Sequence, residues 1–212
     1  MADTFILNGV FLSGPTYKVG LTLALCGQPF EYKHINLAGG EHKSPEFLKI
    51  NRYGQVPVLQ HGAVTLCQSG AILEYISQTL GKFTASDLAS RQKIHEWLFW
   101  DADVLSPPIY RVRAFQRGIA KFEPQVVELF GKMAGAATKT LDGELAGKTF
   151  LMGDKPTVAD IACYGAVWYT EEAKIDLSGR PNIQAWMKRM EALPGFKKPY
   201  DLLPKESGKI AA

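Results

Sequence analysis

EHKSPEFLKINRYGQVPVLQHGAVTLCQSGAIL, residues 41–73, carries the clearest structural signals of this chain. Pro57 stands inside its first strand-like run, and proline belongs at a strand start, an edge or a bulge because it cannot donate to a β-ladder. At a strand start, unpaired backbone groups can bind another extended backbone as a further strand. A cis peptide bond would also be useful at Val56-Pro57, since cis X-Pro bonds usually serve a specific local geometry. The stretch therefore predicts a strand entrance that binds a peptide-like ligand.

Outward from this stretch, the N-terminal part of the chain alternates between strands and helices. Short apolar or alternating runs predict the strands, while length, an early Pro and a final Gly predict the helices. In chain order, the predicted elements are a strand at Thr4–Asn8, a helix at Pro15–Cys26, a strand at Phe30–Asn36, a helix at Pro45–Ile50, strands at Pro57–Gln60 and Val64–Cys67, and a helix at Ser69–Leu80. This β-α-β-α-β-β-α order predicts a small mixed sheet with helices on its faces, in which the first two strands are parallel.

The character of the chain changes after Gly81. The polar connector GKFTASD begins there, and no later segment has a convincing strand signal. Helical patterns cover Leu88–Gly118 with an interruption near Pro107-Pro108, Pro124–Leu145, Thr157–Glu172 and Pro181–Leu193. We therefore expect an α/β domain at residues 1–81 and an all-α domain at residues 88–212, joined by a linker at residues 82–87.

Composition and charge exclude several classes of protein. The net charge is only +3, and Lys and Arg are scattered among acids, unlike in nucleic-acid-binding proteins. No apolar run is long enough to cross a bilayer, and the N-terminal MADTFILNGVFL lacks the basic start of a signal peptide. Cys26, Cys67 and Cys163 are far apart and form no Cys-x-x-Cys pair, which favours reduced thiols. We expect a cytoplasmic protein that binds no nucleic acid, membrane or metal.

Four sequence segments together resemble one known family. They are SGPTYKV after the first strand, EHKSPEFLKINRYGQVPVL, QSGAILEYI and, in the helical part, GDKPTVADIACYGAVW. In this order and spacing they resemble the cytosolic glutathione S-transferases over nearly all of the chain, and the first segment is similar to that of the serine-type, theta- and phi-like classes. The resemblance implies a thioredoxin-like N-terminal domain, an all-α C-terminal domain, glutathione as co-substrate, a small hydrophobic electrophile as second substrate, and a homodimer.

Ser13 is the candidate catalytic residue. It stands after the first strand and just before Pro15 opens a helix, so its hydroxyl and the free N–H groups of that helix would face the same point. From the residues alone, a simple helix cap is the preferred interpretation. The resemblance implies instead that Ser13 stabilises the glutathione thiolate, since a hydroxyl hydrogen bond and a helix N-terminus both favour the charged form. Thr16, the second hydroxyl of the family's S-x-x-[ST] pattern, is the reserve candidate.

The resemblance assigns two further parts of glutathione to the 41–73 stretch. Gln68 and Ser69 resemble the pair that holds the γ-glutamyl end, where a helix N-terminus attracts the carboxylate and the Gln68 amide oxygen accepts from the ammonium. Val56 and Pro57 resemble the loop whose backbone pairs with the cysteinyl segment. An ordinary helix cap remains the alternative for Ser69.

The glycyl end of glutathione would meet the residues before this loop. His42 and Lys43 resemble the residues that contact the glycyl carboxylate in theta-like members, and Gln55 could reach the same end. A solvated loop remains the alternative for His42 and Lys43. In the helical half, Thr157-Val-Ala-Asp160 is a capping pattern that we assign to folding only.

The helical half would supply the second-substrate site. Trp100, Tyr110 and Arg111 are aromatic and basic residues on its first long helical pattern, and they would suit an apolar, anionic electrophile. Asp103 is a candidate for a carboxylate that reaches the glutathione of a neighbouring subunit, as in the enzymes that the chain resembles.

The leading hypothesis is therefore a glutathione S-transferase. One alternative is a related glutathione-dependent enzyme: a dehalogenase, a β-etherase, a peroxidase or a disulfide reductase. Another is a non-catalytic, transferase-like binding module, because fold alone does not fix function.

Overall fold

A mixed sheet is the core of the first of two units into which the chain divides. The computed structural model describes residues 3–211, and within that range the sheet has five strands in the order β4-β3-β1-β2-β5. The strands are β1 at Phe5–Gly9, β2 at Phe30–His34, β3 at Val58–His61, β4 at Val64–Cys67 and β5 at Gly208–Ile210. β1 runs parallel to β2 and antiparallel to β3, while β3 and β4 form an antiparallel hairpin. The predicted parallel pair and the predicted hairpin are both confirmed.

Three helices complete the N-terminal part of this unit. They are α1 at Gly14–Leu25, α2 at Pro45–Ile50 and α3 at Ser69–Leu80. The predicted β-α-β-α-β-β-α order is confirmed, as is a thioredoxin-like α/β domain. The buried α1 packs closely at Gly20, where a Cβ would lie 3.2 Å from a methyl group of Leu203 and 3.7 Å from one of Leu7.

The second unit, Phe83–Ala192, is helical throughout. Its helices are α4 at Leu88–Trp100, α5 at Ser106–Gln116, α6 at Pro124–Glu144, α7 at Val158–Val167 and α8 at Pro181–Glu191. The long pattern predicted at Leu88–Gly118 is two helices, separated by a π-helical turn at Asp101–Leu105. The interruption precedes the two prolines: Ser106 N donates to Asp101 O, five residues back, and the backbone stays right-handed helical from Trp100 into α5. Among residues 3–211, none of the helices combines the length and apolarity that a bilayer crossing requires.

A buried carboxylate fixes the first turn of α7. Thr157 Oγ1 accepts a hydrogen bond from Ala159 N at 3.3 Å, and Asp160 Oδ2 accepts one from Thr157 N at 2.9 Å. Asp160 Oδ1 accepts from Leu151 N at 2.9 Å and from Trp186 Nε1 at 3.0 Å. Burial raises the pKa of the Asp160 carboxyl, and these donors oppose the rise. The predicted capping box is confirmed, with partners that belong to the framework of the fold.

The C-terminal segment differs from the sequence-based expectation. Residues from Leu193 onward group with the first unit, although an all-α domain was expected over residues 88–212. A short helix, α9 at Pro199–Leu202, packs on α1, and β5 pairs antiparallel with β2. The expectation of no strand after Gly81 is therefore wrong. The physical reason is that β2 would otherwise present unpaired backbone groups at the sheet edge, which β5 covers.

Candidate functional site

Ser13 stands where the chain enters α1. Its backbone is extended, with φ −84° and ψ 117°, and its Oγ accepts a hydrogen bond from Thr16 N at 3.2 Å. A serine hydroxyl is acceptor and donor at once, so Ser13 can cap the helix and still donate its own proton elsewhere. Because the side chain is partly exposed, a ligand beside the helix start can receive that proton. The capping role and the catalytic role are therefore compatible.

Thr16, the reserve candidate, faces the interior of the fold. Its side chain is fully buried, and its Oγ1 has no hydrogen-bond partner within residues 3–211. A Cβ at Gly9 would lie 2.8 Å from this oxygen, so the hydroxyl packs against the end of β1. The burial of this hydroxyl between α1 and β1 favours Ser13 over Thr16 as the residue that meets a thiol outside the fold.

The bond between Val56 and Pro57 is cis, as the sequence suggested, and it leads into β3. Pro57 is buried, and the Val56 side chain packs against a small apolar cluster that includes Phe47 and Val58. In the part of the chain that the structure describes, no partner takes up the backbone N–H or C=O of Val56. These two groups are therefore available to an extended backbone, as predicted for the strand entrance.

The structure brings Lys43 against the same loop. Its ammonium donates to Gly54 O at 2.9 Å and lies 3.4 Å from Tyr53 O. Gly54 has a positive φ of 56°, and a Cβ there would lie 2.8 Å from both His42 O and Lys43 Nζ. His42 Nδ1 is buried and finds no hydrogen-bond partner within the described residues. Only glycine fits this close approach, which places both predicted residues beside the entrance of β3.

A buried asparagine that the sequence analysis missed shapes this loop. Asn51 is 2% exposed, its Nδ2 donates to Gln55 O at 2.6 Å, and its Oδ1 accepts from Tyr53 N at 3.0 Å. Its own C=O accepts from Gly54 N at 2.9 Å. The carbonyl of Gln55 is thus fixed while its side chain stays exposed. An Asn three residues before a Gly is a turn signal that could have identified it.

Gln68 has an unusual backbone at the start of α3. Its φ of 72° and ψ of 115° lie outside the regions that residues with a side chain normally adopt, and its side chain makes no cap hydrogen bond. Such conformations cost free energy and cluster at ligand-binding positions. The exposed Gln68 side chain and the first helical residue, Ser69, therefore form the N-terminus of α3, where backbone N–H groups attract an anion.

The strand register brings these segments together at one end of the strands. Val58 pairs with Asn8 of β1 on one side and with Cys67 of β4 on the other. The cis peptide precedes Val58, the loop to Ser13 follows the end of β1, and Gln68 follows Cys67. All three connections therefore lie at the same end of the strands, since β3 is antiparallel to both neighbours.

The residues predicted for the second substrate have different contacts within the helical unit. Trp100 lines a groove of ≈ 560 Å³ together with Trp97. Tyr110 donates its hydroxyl to Gly165 O at 2.9 Å, and Arg111 stacks over Phe130, 5.0 Å from the ring centroid. Tyr110 and Arg111 do not line this groove.

Two further predictions concern Asp103 and metal ions. Asp103 is exposed on the π-helical turn, where a partner molecule could approach it. Within residues 3–211, no group of His, Cys, Asp and Glu side chains is arranged to hold a metal ion.

Two sequence models of one family match the chain. The model described as "Glutathione S-transferase, N-terminal domain" matches residues 9–78, and "Glutathione S-transferase, C-terminal domain" matches residues 104–194. Glutathione S-transferase theta-2B of Homo sapiens is 33% identical over 193 residues, covering 87% of this chain and 79% of the relative. Disulfide-bond oxidoreductase YfcG of Escherichia coli (strain K12) is 26% identical over 185 residues, with coverages of 84% and 86%.

Solved structures have the same fold. A glutathione S-transferase from Pseudomonas fluorescens superposes with a TM-score of 0.88 at 29% identity, covering 93% of this chain and 99% of that chain. A second family member from the same organism, crystallised with two glutathione bound, has a TM-score of 0.85 at 22% identity, with coverages of 95% and 93%. At that lower identity the likeness concerns the fold alone.

Proposed function

Because this chain belongs to the cytosolic glutathione S-transferase family and is theta- and phi-like, we propose that it binds glutathione and conjugates the thiolate to small hydrophobic electrophiles. The observation that carries the proposal is that three groups lie at one end of the strands. They are the Ser13 hydroxyl, which has a proton to donate, the unpaired backbone of Val56 and the N-terminus of α3. A tripeptide with a central thiol and terminal carboxylates requires these groups.

Ser13 supplies the chemistry. Glutathione reacts as the thiolate, and the Ser13 hydroxyl donates a hydrogen bond to the sulfur while the α1 N-terminus adds partial positive charge. Both interactions favour the charged form and so lower the pKa of the bound thiol. The thiol proton passes to solvent water, and a sulfur electron pair forms the new S–C bond as the leaving group departs from the electrophile.

The head and middle of glutathione bind through groups that the framework already orients. The γ-glutamyl carboxylate accepts hydrogen bonds at the α3 N-terminus, which begins with Ser69, and the ammonium donates to the Gln68 amide oxygen. The cysteinyl backbone pairs with the N–H and C=O of Val56 at the entrance of β3.

The glycyl carboxylate binds beside Gly54. Lys43 already lies at that point, and its ammonium can exchange one backbone carbonyl for the carboxylate. The partly exposed His42 and the exposed side chain of Gln55 complete this end of the site.

Thermal shift and a conjugation assay together test the proposal. We expect glutathione to raise the Tm, because a ligand that binds only the folded state stabilises it. We also expect conjugation to an activated aryl halide. Thermal protection without conjugation would instead support a non-catalytic binding module, and no protection at all would refute glutathione binding.

A disulfide reductase is the second candidate, because one relative carries the name disulfide-bond oxidoreductase. The chemistry would then come from glutathione itself, since the three cysteines of the chain are free and two of them, Cys26 and Cys163, are buried. Turnover of a glutathione-containing mixed disulfide without any aryl halide conjugation would favour this candidate over the transferase.

We further propose a homodimer in the reducing cytoplasm, where free thiols persist. In the dimer, the exposed Asp103 would reach the ammonium of glutathione in the partner subunit. Trp100, Tyr110 and Arg111 remain the proposed contacts of the electrophile.

A further inference from the structure

An aromatic cluster packs around Phe11, two residues before Ser13 in the loop between β1 and α1. Phe11 stacks with His34, with ring centroids 6.0 Å apart, and meets Tyr200 edge-on at 6.4 Å. Lys205 Nζ lies over the same ring, 5.8 Å from its centroid. Two of these three partners come from the C-terminal segment, which sequence patterns had placed in the helical domain.

Phe11 is a central residue of the turn that orients Ser13. Ser13 N donates to Val10 O at 2.9 Å, so residues 10–13 form a β-turn with Phe11 and Leu12 at its two inner positions. When an inner residue of a turn is immobilised, fewer backbone conformations are open to the last residue of that turn. Any contact that immobilises the Phe11 ring therefore limits the directions in which the Ser13 hydroxyl can point.

One partner of Phe11, His34, is held at the end of a sheet strand. His34 is the register partner of Gly9, and its backbone N–H donates to Ser207 Oγ at 2.9 Å. The next residue, Ile35, donates its N–H to Gly9 O at 2.8 Å. Beyond Ser207, β5 continues the sheet along β2. The Phe11 ring therefore packs against a residue held at the end of β2, and Tyr200 and Lys205 contact the same ring from the C-terminal segment.

We infer that Phe11 is a positioning residue for Ser13, and that the C-terminal segment, through Tyr200 and Lys205, completes the glutathione-activating site. The inference rests on the proposed function, since it concerns the hydrogen bond from Ser13 to the sulfur. The α1 cap restrains Ser13 from its C-terminal side, and the Phe11 ring restrains it from its N-terminal side. Small misplacements of a reacting or donating group are costly, so loss of the second restraint weakens thiol activation without removing the serine.

The pKa of enzyme-bound glutathione tests this inference without any electrophile. Ultraviolet absorbance of the thiolate, followed against pH, gives that pKa directly for wild type, Phe11→Leu and Phe11→Tyr. Phe122→Leu is the matched control, because Phe122 is also partly exposed and meets Phe130 edge-on at 5.7 Å, but lies in the helical unit. If Phe11→Leu folds poorly, Tyr200→Leu serves as the second variant, because it removes the aromatic contact that the C-terminal segment makes with Phe11.

We expect Phe11→Leu and Tyr200→Leu to raise the pKa of the bound thiol and to lower kcat about tenfold. KM for glutathione should change less than about twofold, because the proposed binding groups are untouched. Phe11→Tyr keeps the ring and should behave as wild type, as should Phe122→Leu.

Two results separate this inference from the proposed function. If wild type lowers the thiol pKa and both cluster variants do the same, the positioning role is refuted while the transferase proposal stands. If wild-type protein binds glutathione without lowering its thiol pKa, activation by Ser13 is refuted, and the positioning role with it.

Discussion

At the scale of single residues, one hydroxyl serves two purposes. Ser13 Oγ accepts from Thr16 N and so satisfies a free donor at the start of α1. Its remaining proton is what the proposed chemistry uses. The neighbouring hydroxyl of Thr16 is chemically similar but fully buried, so exposure and not residue type separates the two candidates.

We predict that Ser13→Ala lowers kcat/KM for conjugation by about 10²–10³-fold, as is typical for loss of one transition-state hydrogen-bond donor. Loss of the cap should also cost about 1 kcal/mol of unfolding free energy. Steady-state kinetics and chemical denaturation measure the two effects. Thr16→Val is the matched control: it removes a buried, unpartnered hydroxyl with little change of shape and should leave the rate intact. An unchanged rate in Ser13→Ala would show that another group activates the thiol.

Gln68 allows a separate test of binding. We predict that Gln68→Glu lowers KM for glutathione, because a carboxylate attracts the γ-glutamyl ammonium more strongly than an amide does. Gln68→Ala should raise KM about tenfold, in line with loss of a hydrogen bond to a charged group. Steady-state kinetics with glutathione as the varied substrate would measure both KM changes, and isothermal titration would give the corresponding affinities. Equal affinities in the three proteins would place the γ-glutamyl end elsewhere.

At the scale of elements, chain ends and strand ends position the site. β1 and β4 end where β3 begins, and helices α1 and α3 start from that same end of the sheet. The last element, β5, covers the β2 edge and places Tyr200 and Lys205 near Phe11. In the second unit, α7 depends on the buried Asp160 for its first turn.

We predict that Asp160→Asn lowers the free energy of unfolding by about 2–4 kcal/mol, because an amide cannot accept from all the buried N–H groups that now meet the carboxylate. Thermal and urea denaturation measure the loss. Asp87→Asn is the control, since Asp87 caps α4 at an exposed position through Ser90 N at 2.8 Å and asparagine caps equally well. Equal stability of the Asp160→Asn variant and wild type would show that the buried bonds contribute little.

At the scale of the whole molecule, the chain divides into an α/β unit and a helical unit, and the division is not collinear with the sequence. The first unit contains every residue proposed to bind the glutathione of its own subunit, together with the C-terminal segment. The second unit contains the residues proposed for the electrophile and for the contact with a partner subunit.

We predict that the protein is a homodimer. Light scattering coupled to size-exclusion chromatography should give twice the chain mass of 23.4 kDa. Asp103→Asn should then weaken glutathione binding without changing the Tm, because Asp103 is exposed and its proposed role lies in the neighbouring site. A mass of 23.4 kDa at working concentrations would contradict both the dimer and the cross-subunit role.

Local patterns were sufficient for most of the α/β unit. Caps and turn residues such as Ser13, Gly81 and the Val56-Pro57 pair act over a few residues, so their structural effects can be read from the chain itself. For the same reason the capping box at Thr157 was predictable. The sequence also indicated the segments that would bind a tripeptide, although the roles of their residues rested on a family resemblance.

Only the tertiary structure decided the rest. β5 has three residues and no pattern of its own, and it exists because the edge of β2 is available to pair with it. The burial of Thr16 depends on the approach of Gly9, and the restraint on Phe11 depends on Tyr200 and Lys205 returning from the far end of the chain. The sequence by itself determined the elements from β1 to α3 and their order, because caps, turns and periodicity are local. Exposure, edge pairing and ring contacts join residues that are distant along the chain, so only packing could establish them.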